Sequence, residues 1–134
     1  MYSGTLHVVS TPMNHADAEL FVGRWVDDWN AHDIEAILSH FTDDVVFSSP
    51  LAIQLLGGSG EVHGKEALRR YWTEGIRRTP DLHFEVLAFY VGVNVLVINY
   101  RNQRGMPVSE VLRFEGSLVK EGHGTYVVED SLAT

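Results

Sequence analysis

From Leu82 to Val128 the sequence reads as a strand and a turn, repeated. "LHFEVLAFYV", "VLVINYRNQ", "VSEVLRF" and "LVKEGHGTYVV" are rich in β-branched and aromatic residues. Between them stand Gly92-Val93-Asn94, the stretch Arg104-Gly105-Met106-Pro107, and Glu115-Gly116-Ser117. Connections this short leave no room for a crossover, so consecutive strands must pair antiparallel. The Val, Leu and Phe content of these strands reads as burial on both faces. Such a meander needs a cover, and the first half of the chain has to supply it.

That half carries a helical period. Ala18, Phe21, Val22, Trp25, Val26 and Trp29 recur at steps of three and four, which is one face of a helix starting near the capping residue Asn14. Asp17, Glu19, Asp27 and Asp28 mostly take the other side. A short second helix fits Asp33 to His40, capped by Asp33 and striped by Ile34, Ile37, Leu38 and Phe41. Asp43-Asp44 reads as a turn. "VVFSS" then reads as a strand ended by Pro50. A third helix runs from Lys65 to Arg78, with Ala67, Leu68, Tyr71, Trp72, Gly75 and Ile76 on one face, and Pro80 stops it.

"LAIQLLGGSGEVHG" reads as a loop. It lacks the Gly-Lys-Ser/Thr of a phosphate-binding loop. Its apolar first half, Leu51 to Leu56, covers either a pocket mouth or an interface. Residues 1–14 show no sustained period and form an N-terminal arm that either frays or adds an edge strand. The order α-α-β-α-β-β-β-β implies an α+β fold over residues 15–134, with helices on one face of a bent sheet.

Composition removes several function classes. A chain of 134 residues fits one domain. There is no cysteine, so disulfides, thiolate chemistry and cysteine-ligated metals are out. The formal charge of −8 repels phosphate backbones, and the only basic clusters, Arg69-Arg70 and Arg77-Arg78, fall on a helix, so no nucleic-acid partner is expected. No apolar run is long enough to span a membrane, no membrane partner is expected, and the N-terminus lacks a signal-peptide pattern; a cytoplasmic location follows as the default. The scattered histidines show no metal-ligand spacing, and no metal or cofactor is expected.

Several phrases resemble the nuclear transport factor 2-like superfamily, and within it the SnoaL-like and ketosteroid-isomerase-like branches. "WNAHDIEAILSHFTDDVVFSSP" is similar to the family's junction of helices and first strand, "HGKEALRRYW" to its third helix, and "TPDLHFEV" to its second strand. The resemblance covers roughly residues 15–128. It implies a cone: a curved antiparallel sheet wrapped around three N-terminal helices, enclosing a largely apolar cavity. It also implies a small hydrophobic ligand and a homodimer paired through the outer sheet face. Within the cone, Trp29 and Phe41 would help close it, and Phe47 to Pro50 would line its wall.

The family's reactive positions carry over unevenly. The carboxylate base of the isomerase branch falls on Ser49, its tyrosine on Trp25, and its protonated acid on Glu110. The aspartate of the SnoaL-type cyclases falls on Gly124, beside His123, which strand alternation points to the opposite face unless Gly122 or Gly124 makes a bulge. Glu110 is therefore the one candidate catalytic residue. A two-residue turn at Gly105-Met106 would set it opposite Arg101 as an ordinary ion pair. A loop with an odd number of residues would instead put it on a wall with Tyr100, Leu112, Phe114, Ile98 and Leu96. Trp25, Trp29, Phe41, Phe47 and Trp72 either line a flat apolar ligand or pack the core. Ser49, Tyr100, Leu112 and His123 complete the candidate ligand-binding set. Two readings stay open. One is an isomerase-, cyclase- or lyase-type proton transfer by Glu110 on a polycyclic or otherwise hydrophobic molecule. The other is a non-catalytic binding or accessory protein.

Overall fold

The structure, a computed structural model, describes residues 13–131. The N-terminal arm, residues 1–14, lies almost wholly outside that span. Ten elements follow in order: α1 (His15–Asn30), α2 (Ile34–Leu38), β1 (Phe41–Ser48), α3 (Pro50–Leu56), β2 (Glu61–His63), α4 (Lys65–Arg78), β3 (Glu85–Val91), β4 (Val95–Arg101), β5 (Pro107–Glu115) and β6 (Leu118–Tyr126). A 3₁₀ turn at Glu129–Ser131 ends the described chain. No helix among the described residues is long and apolar enough to cross a membrane.

The helix starts are set by side chains. Asn14 Oδ1 accepts from the Asp17 N–H at 2.8 Å, and Asp33 Oδ1 accepts from the Ala36 N–H at 3.1 Å. α1 buries Ala18, Val22, Trp25 and Trp29, four positions of its expected apolar face. α4 buries Leu68, Tyr71 and Trp72, and it ends at Thr79, where the following Pro80 disfavours helix.

Among the described residues the sheet has six strands in the order β2-β1-β6-β5-β4-β3. Every pair is antiparallel except β1 with β6, which is parallel. The meander accounts for β3 to β6. The parallel pair arises because β1 and β6 lie far apart in sequence, with helices between them to carry the crossover. β4 and β5 alternate buried with half-exposed residues, so in the single chain these strands bury one face and not both.

Two local expectations fail for identifiable reasons. Asp43 and Asp44 lie inside β1 and not in a turn. The pairing with β6 slips between Phe41 and Val46, and this irregularity lets two exposed acids sit in a strand. The expected loop after Pro50 contains a helix and a strand. Pro50 opens α3, a position where its missing N–H costs nothing, and Ser49 Oγ caps it by accepting from the Leu51 N–H at 3.2 Å. The chain then returns through Gly57, Gly58 and Gly60, all at positive φ, to lay β2 on β1.

Candidate functional site

The sheet curves around a cavity of about 230 Å³. Its walls are mainly aromatic. Trp25 and Trp29 come from α1, Tyr71 and Trp72 from α4, Phe47 from β1, Phe84 from the chain before β3, and Tyr100 from β4. The rings support one another: Phe84 lies 4.3 Å from Tyr100 and is stacked on Trp25 at 5.8 Å, while Trp29 meets Trp72 edge-on at 5.0 Å. These lining residues are buried. Leu51, Ile76, Thr79, Leu82, Asn102, Gln103, Arg104 and Tyr126 line the same cavity but are partly or fully exposed, so they form its rim.

Glu110 sits on the cavity wall. The β4–β5 connection spans Asn102 to Met106, an odd-numbered loop, with Arg101 opposite Pro107 and Ile98 opposite Glu110. That register puts Glu110 on the buried face with Tyr100. The ion pair with Arg101 is therefore overturned; Arg101 instead lies 3.9 Å from Glu85 on the other face. Glu110 is 6% exposed and has no cationic partner among the described residues. Burial pushes its carboxyl up to about 7, offset in part by the Tyr100 hydroxyl, which donates to Oε1 at 3.2 Å.

Three further hydroxyls surround this acid. Burial raises Tyr71 to about 12 and raises Tyr126 as well, in each case tempered by the neighbouring Ser49 hydroxyl. Tyr100 is raised by burial and by the nearby Glu110 charge. Each phenol thus keeps its proton at neutral pH; Tyr100 gives its hydrogen bond to Glu110, and Tyr71 and Tyr126 are the phenols left to donate to a ligand. Gly124 lies directly opposite Glu110 on β6. A Cβ there would lie 3.5 Å from Ser49 Oγ and 3.8 Å from Glu110 Oε1, so the missing side chain leaves the acid open to the cavity. The Trp29 indole N–H, also buried, has no acceptor among the described residues.

The structure brings together Glu110, Trp25, Trp29, Phe47, Ser49, Trp72 and Tyr100. It does not bring Phe41, Leu112 or His123 to the cavity. Phe41 packs behind Trp72, with ring centres 5.2 Å apart. Leu112 is fully buried in the core. His123 follows the uninterrupted register of Gly122 and Gly124, with no bulge between them, and so points outward. There its Nε2–H donates to Glu121 at 2.7 Å, leaving Nδ1 to accept from the Ser48 hydroxyl at 2.5 Å. The chain of contacts ties β1 to β6 across the parallel pair. Among the described residues no group of three His, Asp or Glu side chains assembles a metal site.

Tyr71, Phe84 and Tyr126 are lining residues that sequence reasoning missed. Tyr71 was visible on the α4 face beside Trp72. Phe84 and Tyr126 carried no signal, because both sit at strand ends whose placement depends on the sheet's curvature.

Comparison with known proteins agrees with this architecture. A family model described as a SnoaL-like domain matches residues 22–131. A SnoaL-like protein of unknown function from Burkholderia thailandensis is 41% identical, with 88% of this chain covering 100% of that one at a TM-score of 0.84. A nuclear transport factor 2-like protein of unknown function from Cytophaga hutchinsonii is 15% identical, with coverages of 91% and 97% and a TM-score of 0.62. A candidate polyketide cyclase from Sinorhizobium meliloti is 13% identical, with coverages of 78% and 92% and a TM-score of 0.64. The latter two share the fold with this chain. No curated protein matches it. With the family model matching from α1 to the end of the described chain, this protein belongs to the SnoaL-like domain family, on the nuclear transport factor 2-like fold.

Proposed function

We propose that the protein binds a small hydrophobic carbonyl compound in the aromatic cavity and moves a proton on it with Glu110. One observation carries this reading: a carboxyl buried in an apolar pocket, unpaired by any described cation, with a pKa pushed up to about 7. Such a group is close to half ionised at neutral pH, where a general acid or base works best. The ionised carboxylate would take a proton from the carbon next to the carbonyl. The developing enolate oxygen would be met by the Tyr71, Tyr126 or Ser49 hydroxyl, and Glu110 would return the proton to the same carbon, or to the γ-carbon where the enolate is conjugated with a double bond. Tyr100 is already engaged with Glu110 and so acts as a positioning residue. The solved proteins that share this fold include a candidate polyketide cyclase. A volume of about 230 Å³ is below the roughly 300–1,000 Å³ of drug-sized sites. It favours one or two rings over a larger polycycle.

The experiment is proton exchange at the α-carbon of 2-tetralone in deuterated buffer, followed by NMR. Glu110→Gln is expected to slow the enzyme-dependent exchange by about 100-fold or more. Binding should survive and is easily read, because all three tryptophans of the chain line the cavity and their fluorescence reports on its occupant.

A second reading is a non-catalytic binding protein. The observation favouring it is at Ser49, where the isomerase-like branch would have its carboxylate base and where this chain uses the side-chain oxygen to cap α3. Ligand-induced quenching with no exchange in the wild-type protein would select it.

A further inference from the structure

The rim of the cavity carries a charge with no ion-pair partner among the described residues. Lys65, Arg69, Arg77, Arg78, Arg101, Arg113 and Lys120 each lie in ion-pair range of a carboxylate. In a chain with eight more acids than bases this is the expected state of a cation. Arg24, Arg70 and Arg104 make no such pair among the described residues, and of these three Arg104 alone lines the cavity. Glu110 does not compensate it, since that carboxyl is governed by burial and by Tyr100.

The hairpin tip that presents Arg104 is ordered without help from the Arg104 side chain. Asn102 Oδ1 accepts from the Arg104 N–H at 2.9 Å and from the Met106 N–H at 3.1 Å. The Gly105 N–H closes the turn on the Asn102 carbonyl at 2.8 Å, with Gly105 at φ 78°. The guanidinium is thus left available while its backbone is fixed, so binding has to order the Arg104 side chain but not the turn that carries it. Glu110 lies three residues into β5 from the first strand residue, Pro107, which is about 10 Å along the strand. One or two fused rings span that interval.

We propose that Arg104 reads an anionic substituent, so that the occupant of the cavity is a one- or two-ring carbonyl compound bearing a carboxylate at the end remote from Glu110. The inference rests on the cavity reading above and adds the charge of the ligand and its direction of entry. The ring system sits among Trp25, Trp29 and Phe84, the carbonyl meets the hydroxyls around Glu110, and the carboxylate stays at the wet rim. There the planar guanidinium makes a two-pronged contact. Holding the remote end fixes the reacting carbon against the acid.

The test is calorimetric binding of 6-acetyl-2-naphthoate and of its neutral carboxamide, 6-acetyl-2-naphthamide, at low and moderate salt. The wild-type protein is expected to bind the carboxylate about tenfold tighter, the size of one charge-assisted contact. Arg104→Gln should lose the preference and bind the two compounds about equally, and Arg104→Lys should keep part of the preference. The same pattern should appear on a Glu110→Gln background, because charge recognition at the rim does not need the proton chemistry. If the carboxamide binds and the carboxylate shows no advantage, or if the advantage persists in Arg104→Gln, this inference is overturned and the cavity reading stands. If neither compound binds any variant, both fall together.

Discussion

Glu110 shows how much one residue's surroundings decide. Its carboxyl sits near 4.5 in an unfolded chain and near 7 in the fold, raised by burial. The native state therefore holds its proton more tightly than the unfolded state does. Stability from this group is fully present below about pH 4.5 and is lost as pH rises toward and through 7. The gap corresponds to about 3 kcal/mol. Urea unfolding of the wild type and of Glu110→Gln at pH 5 and pH 8 measures it. The wild type should lose roughly 2–3 kcal/mol relative to the variant between the two values, since part of the effect is already lost at pH 5. A parallel pH dependence in both proteins would mean that Glu110 is not dry. The sequence offered two registers for this residue, opposite Arg101 or beside Tyr100. The choice turned on the loop Asn102 to Met106, whose length is set by the Asn102 turn and not by the Gly105-Met106 pair.

Among the elements, the junctions carry more information than the spans. The end of α1 is fastened to the start of the meander by Asn30. Its Nδ2 donates to the Phe84 carbonyl at 3.0 Å and its Oδ1 accepts from the Phe84 N–H at 2.7 Å. His32 Nε2 lies 2.9 Å from the Leu82 carbonyl beside it. Asn30→Ala removes both Asn30 bonds and leaves a half-buried backbone pair unsatisfied. It is expected to cost about 1–3 kcal/mol in urea unfolding and to weaken ligand-induced tryptophan quenching, since Phe84 forms part of the cavity wall. Gly122 performs a different task within β6. A Cβ there would lie 3.0 Å from Phe47 Cδ1 and 3.2 Å from Leu112 Cδ2. Gly122→Ala should therefore destabilise by about 1–3 kcal/mol through overpacking, where a neutral or stabilising result would show that Phe47 can turn aside. The stretch "LAIQLL" reads as a loop in sequence because it is apolar on too many sides to show a period, and because proline ends strands as readily as it starts helices; in the fold it is α3.

At the scale of the whole molecule, the helices and the curved sheet enclose the cavity, and most of its aromatic residues come from positions already assigned to packing. Trp25, Trp29, Phe47 and Trp72 serve as both core and lining, so the alternatives of pocket and core do not exclude one another here. The family resemblance singled out Glu110, and the sequence alone determined the α+β class, the faces of α1 and α4, and the meander of β3 to β6. These depend on period, turn length and capping, which are local quantities. Only the tertiary structure decided that β1 runs parallel to β6, that Glu110 faces inward beside three tyrosines, that His123 faces out, and that Arg104 stands at the rim with no ion-pair partner among the described residues. Each of those depends on register and curvature. Both are set by contacts between segments far apart in sequence, where a shift of one residue turns a side chain from the cavity to the outside.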